Sequence, residues 1–125
     1  MLLDTCALLW IAGGHGGLSD AALEQIEKSH SVYISAITGF EISLKYKKGK
    51  LLLPVPVGEW LLSVLEHHKI SVIPLDLDIC VKANDLPSMH QDPCDRLIIA
   101  TSKIKNMAVV TADVRFRDYG IPVIS

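Results

Sequence analysis

The sequence predicts one α/β domain over residues 1–125, a single-domain three-layer α/β/α sandwich with a mainly parallel sheet. Three observations carry that expectation. Short apolar runs alternate with helical stretches along the whole chain, the pattern of strands joined by crossover helices. The chain is 50% hydrophobic but only 6% aromatic, so its core must be built of Leu, Ile, Val and Ala, which suits a parallel sheet covered on both faces. The length fits one compact domain, and no internal repeat, low-complexity tract or linker divides it.

Each element has a local reason. Met1–Leu3 reads as a short buried strand, followed by a helix from Thr5 to about Ala12 that Gly13-Gly14 ends. Ser19 is placed to cap a helix with Ala22, Leu23 and Ile26 on one face. Ser31–Ser35 forms the second strand, and Ala36–Lys48 a helix stopped by Gly49. Pro54 and Pro56 break the next segment. Glu59–Lys69 is then helical, with Trp60, Leu61, Val64 and Leu65 inward. Ile70–Pro74 is the third strand and Leu77–Ala83 a short helix. Asp85–Asp92, polar and holding Pro87, reads as a loop. Pro93 suits the first position of a helix to about Lys105, since its missing N–H costs nothing there. Ala108–Thr111 and Ile121–Ile124 complete the strands.

Bulk properties exclude several classes. A net charge of −2 gives no overall basic field, so a nucleic-acid partner needs a local patch. No apolar run approaches the ~18 residues of a membrane span. Met1–Ala12 lacks the basic flank of a signal peptide, and Asp4 interrupts it. Three cysteines, Cys6, Cys80 and Cys94, form no C-x-x-C pair, which argues for a reducing cytoplasm rather than a disulfide framework. The chain reads as soluble and cytoplasmic, with no membrane association.

Four acids carry the chemistry: Asp4, Glu41, Asp95 and Asp113. Asp4 and Asp113 follow apolar strands, and in a parallel sheet both emerge at the carboxyl edge, where open α/β folds place their sites. Asp95 lies on the first turn of the Pro93 helix, and Glu41 on the helix after the second strand. Each acid also has a purely structural explanation. Asp4 can cap the first helix and Asp113 can begin a turn before Phe116. Glu41 can pair with Lys45 one turn on. Asp92 and Asp95 bracket Pro93 as cap and N3 acid. Helix-capping acids have no need to converge on one cleft, however. A divalent ion such as Mg²⁺ or Mn²⁺ does need several hard oxygen ligands together.

The ordered stretches Leu2-Leu3-Asp4-Thr5-Cys6, Ser35-Ala36-Ile37-Thr38-Gly39-Phe40-Glu41, His90-Gln91-Asp92-Pro93-Cys94-Asp95-Arg96 and Val110-Thr111-Ala112-Asp113 resemble a PIN domain. More narrowly, they resemble a VapC-type toxin ribonuclease of a type II toxin–antitoxin pair. The resemblance implies an Mg²⁺- or Mn²⁺-dependent endoribonuclease that cleaves RNA and is held in check by a cognate antitoxin; it favours a homodimer. By the same resemblance Asp4, Glu41, Asp95 and Asp113 occupy the four acidic metal-site positions. Asp4, Asp95 and Asp113 would hold one or two ions. Glu41 would orient a water held by the metal, or bind a second ion. Thr5 and Thr111 would orient the ligands from behind, and Asp92 reads as the helix cap in preference to a ligand. Cys6 and Cys94 depart from the histidine and phenylalanine usual at their positions, and neither removes a carboxylate.

Other features are weaker. Lys45, Lys47, Lys48 and Lys50 suit an RNA backbone and a solvated helix end equally well. Arg96 is placed either to neutralise the acids or to form a surface ion pair. His90, Asp92 and Cys94 alternate, but no second Cys/His pair supports a closed zinc site. His67-His68 read as helix-surface residues. Leu51–Val57 reads as a loop packed on its own core in preference to a groove wall. A phospho-receiver domain would need paired acids after the first strand and a lysine where Asp113 stands. A DNA-flap nuclease would need a helical arch that the chain lacks. The remaining alternative is a PIN fold that keeps its acids but only binds RNA or protein.

Overall fold

The computed structural model describes residues 1–13 and 16–125. Among these residues, five strands, β1 (Leu2–Leu3), β2 (Val32–Ser35), β3 (Ile70–Ile73), β4 (Val109–Val110) and β5 (Val123–Ile124), form one sheet in the order β3-β2-β1-β4-β5. Every neighbouring pair is parallel. Six α-helices connect them: α1 (Thr5–Gly13), α2 (Asp20–Lys28), α3 (Ala36–Lys47), α4 (Val57–His67), α5 (Leu77–Asp85) and α6 (Pro93–Lys105). A 3₁₀ helix, Val114–Tyr119, precedes β5.

Side-chain alternation along the strands builds two cores. Leu2 and Val109 point to one face, where Ile79, Ala83, Ile98, Ile99, Phe116 and Tyr119 meet them from α5, α6 and the 3₁₀ helix. Leu3 and Val110 point to the other, against Ala7, Leu8, Ala22 and Ile42 from α1, α2 and α3. Trp60, Leu61, Val64 and Leu65 of α4 cover that second core, and none is fully buried. The sandwich therefore has α1–α4 on one side and α5, α6 and the 3₁₀ helix on the other.

Most boundaries fall where the sequence places them, and the differences have local causes. Ser19 Oγ accepts from Ala22 N–H at 3.1 Å, so α2 starts at its predicted cap. Gly49 stands beyond α3 at φ +74°, a left-handed conformation that glycine adopts without steric cost. Gly13 closes α1, and Gly14 lies outside the described residues. The predicted start of α4 at Glu59 is two residues late. Pro56 accepts at its carbonyl from Trp60 N–H (2.9 Å), which opens the helix at Val57. α5 runs on to Asp85, into the predicted loop, and stops where Pro87 disfavours helical backbone at Leu86. The ladders of β4 and β5 are shorter than predicted. The sequence predicts only a turn at Asp113 where the 3₁₀ helix forms; its six residues, VRFRDY, are too few to show a period.

The strand order fixes where a site can form. The chain winds outward from β1 to β2 and β3, then returns to lay β4 on the other side of β1. The crevice between β1 and β4, beyond their carboxyl ends, is thus the point where the winding reverses. Among the described residues, no helix is long and apolar enough to cross a membrane.

Candidate functional site

Register brings the acids together. Leu3 pairs with Val110 on one side and with Ile34 on the other, so Asp4 and Thr111 are the first residues past β1 and β4, level with Ser35, the last residue of β2. Asp4 N–H donates to Val110 carbonyl at 3.0 Å, which locks Asp4 beside Thr111. α3 begins directly at Ala36, capped by Ser35, and so runs alongside α1. Thr38 and Glu41, three residues apart on α3, share the face that meets Thr5. Asp92 Oδ1 accepts from Cys94 N–H (2.8 Å) and Asp95 N–H (3.2 Å), capping α6 and setting Asp95 on its first turn. Asp4, Glu41, Asp95 and Asp113 consequently line one cleft of about 290 Å³, together with Thr5, Cys6, Trp10, Ala112 and Arg115.

Every acid keeps its structural role inside this cleft. Asp4 is buried, and its Oδ1 caps α1 by accepting from Ala7 N–H at 2.8 Å. Glu41 Oε1 accepts from Thr5 Oγ1 at 2.6 Å, and its other oxygen lies 4.0 Å from Lys45 Nζ. The Thr5 hydroxyl has one proton and gives it to Glu41, so the contact with Thr38 Oγ1 at 3.2 Å is a bond that Thr38 donates. Asp113 caps the 3₁₀ helix through Arg115 N–H (3.0 Å), and Arg115 Nη2 also reaches its Oδ2 at 2.7 Å. Thr111 serves two acids. It hydrogen-bonds Asp4, and its Oγ1 accepts from Asp113 N–H at 3.0 Å. Capping and convergence are compatible because a carboxylate has more lone pairs than a cap consumes.

The electrostatics are uneven. Burial pushes the Asp4 carboxyl above its ordinary range; hydrogen bonds from Thr111 and Ala7 oppose this, and the charges of Glu41 and Asp113 reinforce it. Burial also pushes Asp95 up, to about 6, against the hydrogen bond from His90. Asp113 is held low by the hydrogen bond from Arg115. Burial raises the Cys94 thiol to about 11, so it stays protonated and is a poor metal ligand. The four acids of the cleft offer hard carboxylate oxygens. Two of them lie in a setting that penalises negative charge, which a divalent cation would relieve.

Three residues take roles that the sequence does not assign them. His90 is buried, and its Nε2 lies 2.7 Å from Asp95 Oδ2. One ligand atom each from His90, Asp95 and Asp113 lies within 4.8 Å of the others, whereas Asp4, Glu41 and Cys94 stand outside this group. Arg96 neither neutralises the acids nor pairs on the surface: its guanidinium donates to the carbonyls of Leu86 (2.7 Å), Pro87 (2.8 Å) and His90 (2.9 Å). Thr38, fully buried, stands behind Thr5. Only His90 and Arg96 gave a signal, through their closeness in sequence to Asp95. Trp10 forms one wall, and a Cβ on Gly17 would lie 2.4 Å from its Cη2, so the ring's position requires glycine there. A larger cavity of about 560 Å³ shares Trp10 but is lined by Ile11, Leu23, Ile26 and Ile70 and holds none of the four acids.

Comparisons with known proteins show the family and the fold. The PIN domain family matches residues 1–122. Ribonuclease VapC22 of Mycobacterium tuberculosis is 32% identical over 123 residues, covering 98% of this chain and 93% of that protein. VapBC2 from Rickettsia felis, solved bound to a DNA fragment from its promoter, has a TM-score of 0.73 at 18% identity, with 98% of this chain and 95% of that one covered. FitAcB from Neisseria gonorrhoeae has a TM-score of 0.67 at 23% identity, covering 99% and 96%. At these identities the two structures show a shared fold.

Proposed function

This chain belongs to the PIN domain family, and on that premise we propose that it is a metal-dependent endoribonuclease, the toxin of a toxin–antitoxin pair. The observation that carries the reading is the convergence of Asp4, Glu41, Asp95 and Asp113 on one cleft at the switch point of the sheet. Its 32% identity to a curated ribonuclease supports the reaction class.

Asp4, Asp95 and Asp113 would hold one or two Mg²⁺ or Mn²⁺ ions. Such an ion, when bound, polarises the scissile phosphate and acidifies the attacking water. Thr5 aims Glu41 by donating to its Oε1, and Glu41 would orient the attacking water at the mouth of the cleft. Thr111 fixes the spacing of Asp4 and Asp113 from behind. Arg115 and Lys45, paired with rim acids and in part exposed, can turn toward the phosphates of an RNA strand, and Lys47, Lys48 and Lys50 extend that basic track along the end of α3.

The partners follow from the same reading: an RNA substrate, an antitoxin protein and a second copy of the chain in a homodimer. Leu77 and Val81, one turn apart on α5, are 78% and 54% exposed and supply apolar surface for such contacts. The free cysteines Cys6, Cys80 and Cys94 accord with the cytoplasm. The test is cleavage of a panel of structured RNAs with and without Mg²⁺, comparing wild type with Asp4→Asn and Asp95→Asn. Cleavage only by wild type, and only with the ion, is expected. Equal cleavage by the variants would sink the reading.

A further inference from the structure

We propose that His90 is a positioning residue that aims Asp95 at the metal, and that an Arg96–Tyr119 clamp on the preceding loop holds His90 in place. The proposal rests on the metal-site reading above. Its motivation is a buried histidine on an irregular segment. Residues between α5 and α6 carry no helix or strand, yet His90 is 4% exposed. Loops of this kind are ordinarily mobile and solvated.

A closed set of bonds explains the order. Arg96 on α6 donates to three carbonyls of the loop, at Leu86, Pro87 and His90. Tyr119, at the end of the 3₁₀ helix, donates its hydroxyl to Pro87 carbonyl (2.9 Å) and accepts from His90 N–H (2.9 Å). An arginine whose donors go to backbone carbonyls, with no carboxylate among its hydrogen-bond partners, acts on the shape of the chain. Arg96 is also the neighbour of Asp95. The path from Asp95 to Arg96, across to His90 carbonyl and back through the His90 ring to Asp95 is a closed cycle. One side of the ring faces Phe116, with centroids 6.2 Å apart, which limits its rotation.

The ring can do one of two things at Asp95. A distance of 2.7 Å from Nε2 to Oδ2 is a hydrogen bond, and toward an ionised carboxylate the nitrogen must be the donor. A protonated Nε2 has no lone pair for a metal, so His90 is excluded as a ligand through that atom while the bond stands. It occupies Oδ2 and leaves Oδ1 to the cation, the usual division of labour between a ligating carboxylate and its outer-shell donor.

The test measures Mn²⁺ affinity of the full chain by electron paramagnetic resonance, with the melting temperature of each variant as a control for folding. His90→Leu keeps the packing against Phe116 and removes the donor, and is expected to weaken binding by roughly 10–100-fold. His90→Gln, whose amide N–H reaches the position of Nε2, is expected to restore most of that loss. Tyr119→Phe should weaken binding in the wild-type background and add little to His90→Leu, because both act on one path. If His90→Leu does not fold, Tyr119→Phe and His90→Gln still decide the matter. Affinity unchanged in both His90→Leu and Tyr119→Phe, with Asp95→Asn strongly impaired, overturns the positioning role and leaves the metal site standing. A directly coupled ¹⁴N in the wild-type spin-echo spectrum, lost in His90→Leu, overturns it as well, by making His90 a ligand. Affinity unchanged in Asp95→Asn overturns the metal reading itself.

Discussion

Asp4 and Asp95 form one half of the acidic cleft and Glu41 and Asp113 the other, and the two halves balance their charge differently. Glu41 and Asp113 each have a cation on their own element, Lys45 at 4.0 Å and Arg115 at 2.7 Å. Asp4 accepts from an amide and a hydroxyl, and Asp95 from an imidazole, so neither has a guanidinium or ammonium against it among the described residues. Both are raised by burial, whereas Asp113 is lowered. The outer pair is therefore largely balanced as it stands. The inner pair has an unmet demand for positive charge, which is what a cation site looks like before the cation arrives.

Substitution of the inner pair should give the largest effect. Asp4→Asn is expected to lower RNA cleavage at least about a hundred-fold, the scale of losing one preorganised electrostatic contact in an active site. Metal-free stability should stay level or rise, because asparagine still accepts from Ala7 N–H and carries no buried charge. Glu41→Gln should lower cleavage only about ten-fold, as for a group acting through another. Parallel kinetics and thermal melts of the two variants check this. Equal losses of activity, or a collapse of Asp4→Asn stability, would erase the distinction between the halves.

A smaller effect separates the halves by pH. Asp95 titrates at about 6 in the folded chain, against ~3.9 for an unfolded aspartate. Between those values the folded state keeps a proton that the unfolded state has lost. Metal-free stability should consequently fall as pH rises from about 4 to about 6, then level off from this group. Asp113 is shifted the opposite way, so its contribution is present above ~3.9 and is lost only as pH falls toward its lowered value. Thermal melts across this range should show a shallower fall in Asp95→Asn. At pH 7, Mg²⁺ should raise the melting temperature of wild type but not of Asp95→Asn. A wild-type melting temperature that climbs steadily from pH 4 to pH 6 without metal, with a slope unchanged in Asp95→Asn, would break the assignment of uncompensated charge to the inner pair.

The same division explains how much was legible beforehand. The strands, the parallel sheet and the α6 start at Pro93 follow from apolar runs and one proline, signals that local sequence carries in full. Asp4 and Asp113 were legible as strand-end residues, since a parallel ladder sends both to one edge. Of the counter-charges, Lys45 was legible from its i,i+4 spacing to Glu41 on one helix. Arg115, two residues from Asp113 outside any predicted element, carries no such signal. His90 was legible only as a neighbour of the Asp92 cap. Its contact with Asp95 depends on a loop folded back by Arg96 and by Tyr119, which is 29 residues away in sequence. Long-range closure of that kind leaves no periodic trace. The 3₁₀ helix that supplies Tyr119 leaves no trace either, because its six residues are too few to show a period.

Arg115→Ala should produce the smallest change, and it probes the outer half most directly. Arg115 Nε lies 3.0 Å and 3.2 Å from the two oxygens of Asp113, and Nη2 lies 2.7 Å from Oδ2. Removing those contacts does not release the carboxylate. Asp113 Oδ1 still accepts from the backbone N–H of residue 115 at 3.0 Å, and Asp113 N–H still donates to Thr111. The alanine variant thus loses an exposed counter-charge and keeps the geometry. The pKa of Asp113 should move back up toward its ordinary value, since the Arg115 hydrogen bond is the main reason it is low. Mn²⁺ affinity should stay within about three-fold of wild type, the scale of an exposed ion pair, and any change should be toward tighter binding because a competitor for the same oxygens is gone. Titration of Mn²⁺ into both proteins checks this. A ten-fold loss would mean that Arg115 holds Asp113 in place, and the outer half would then depend on its cation as much as the inner half depends on the metal.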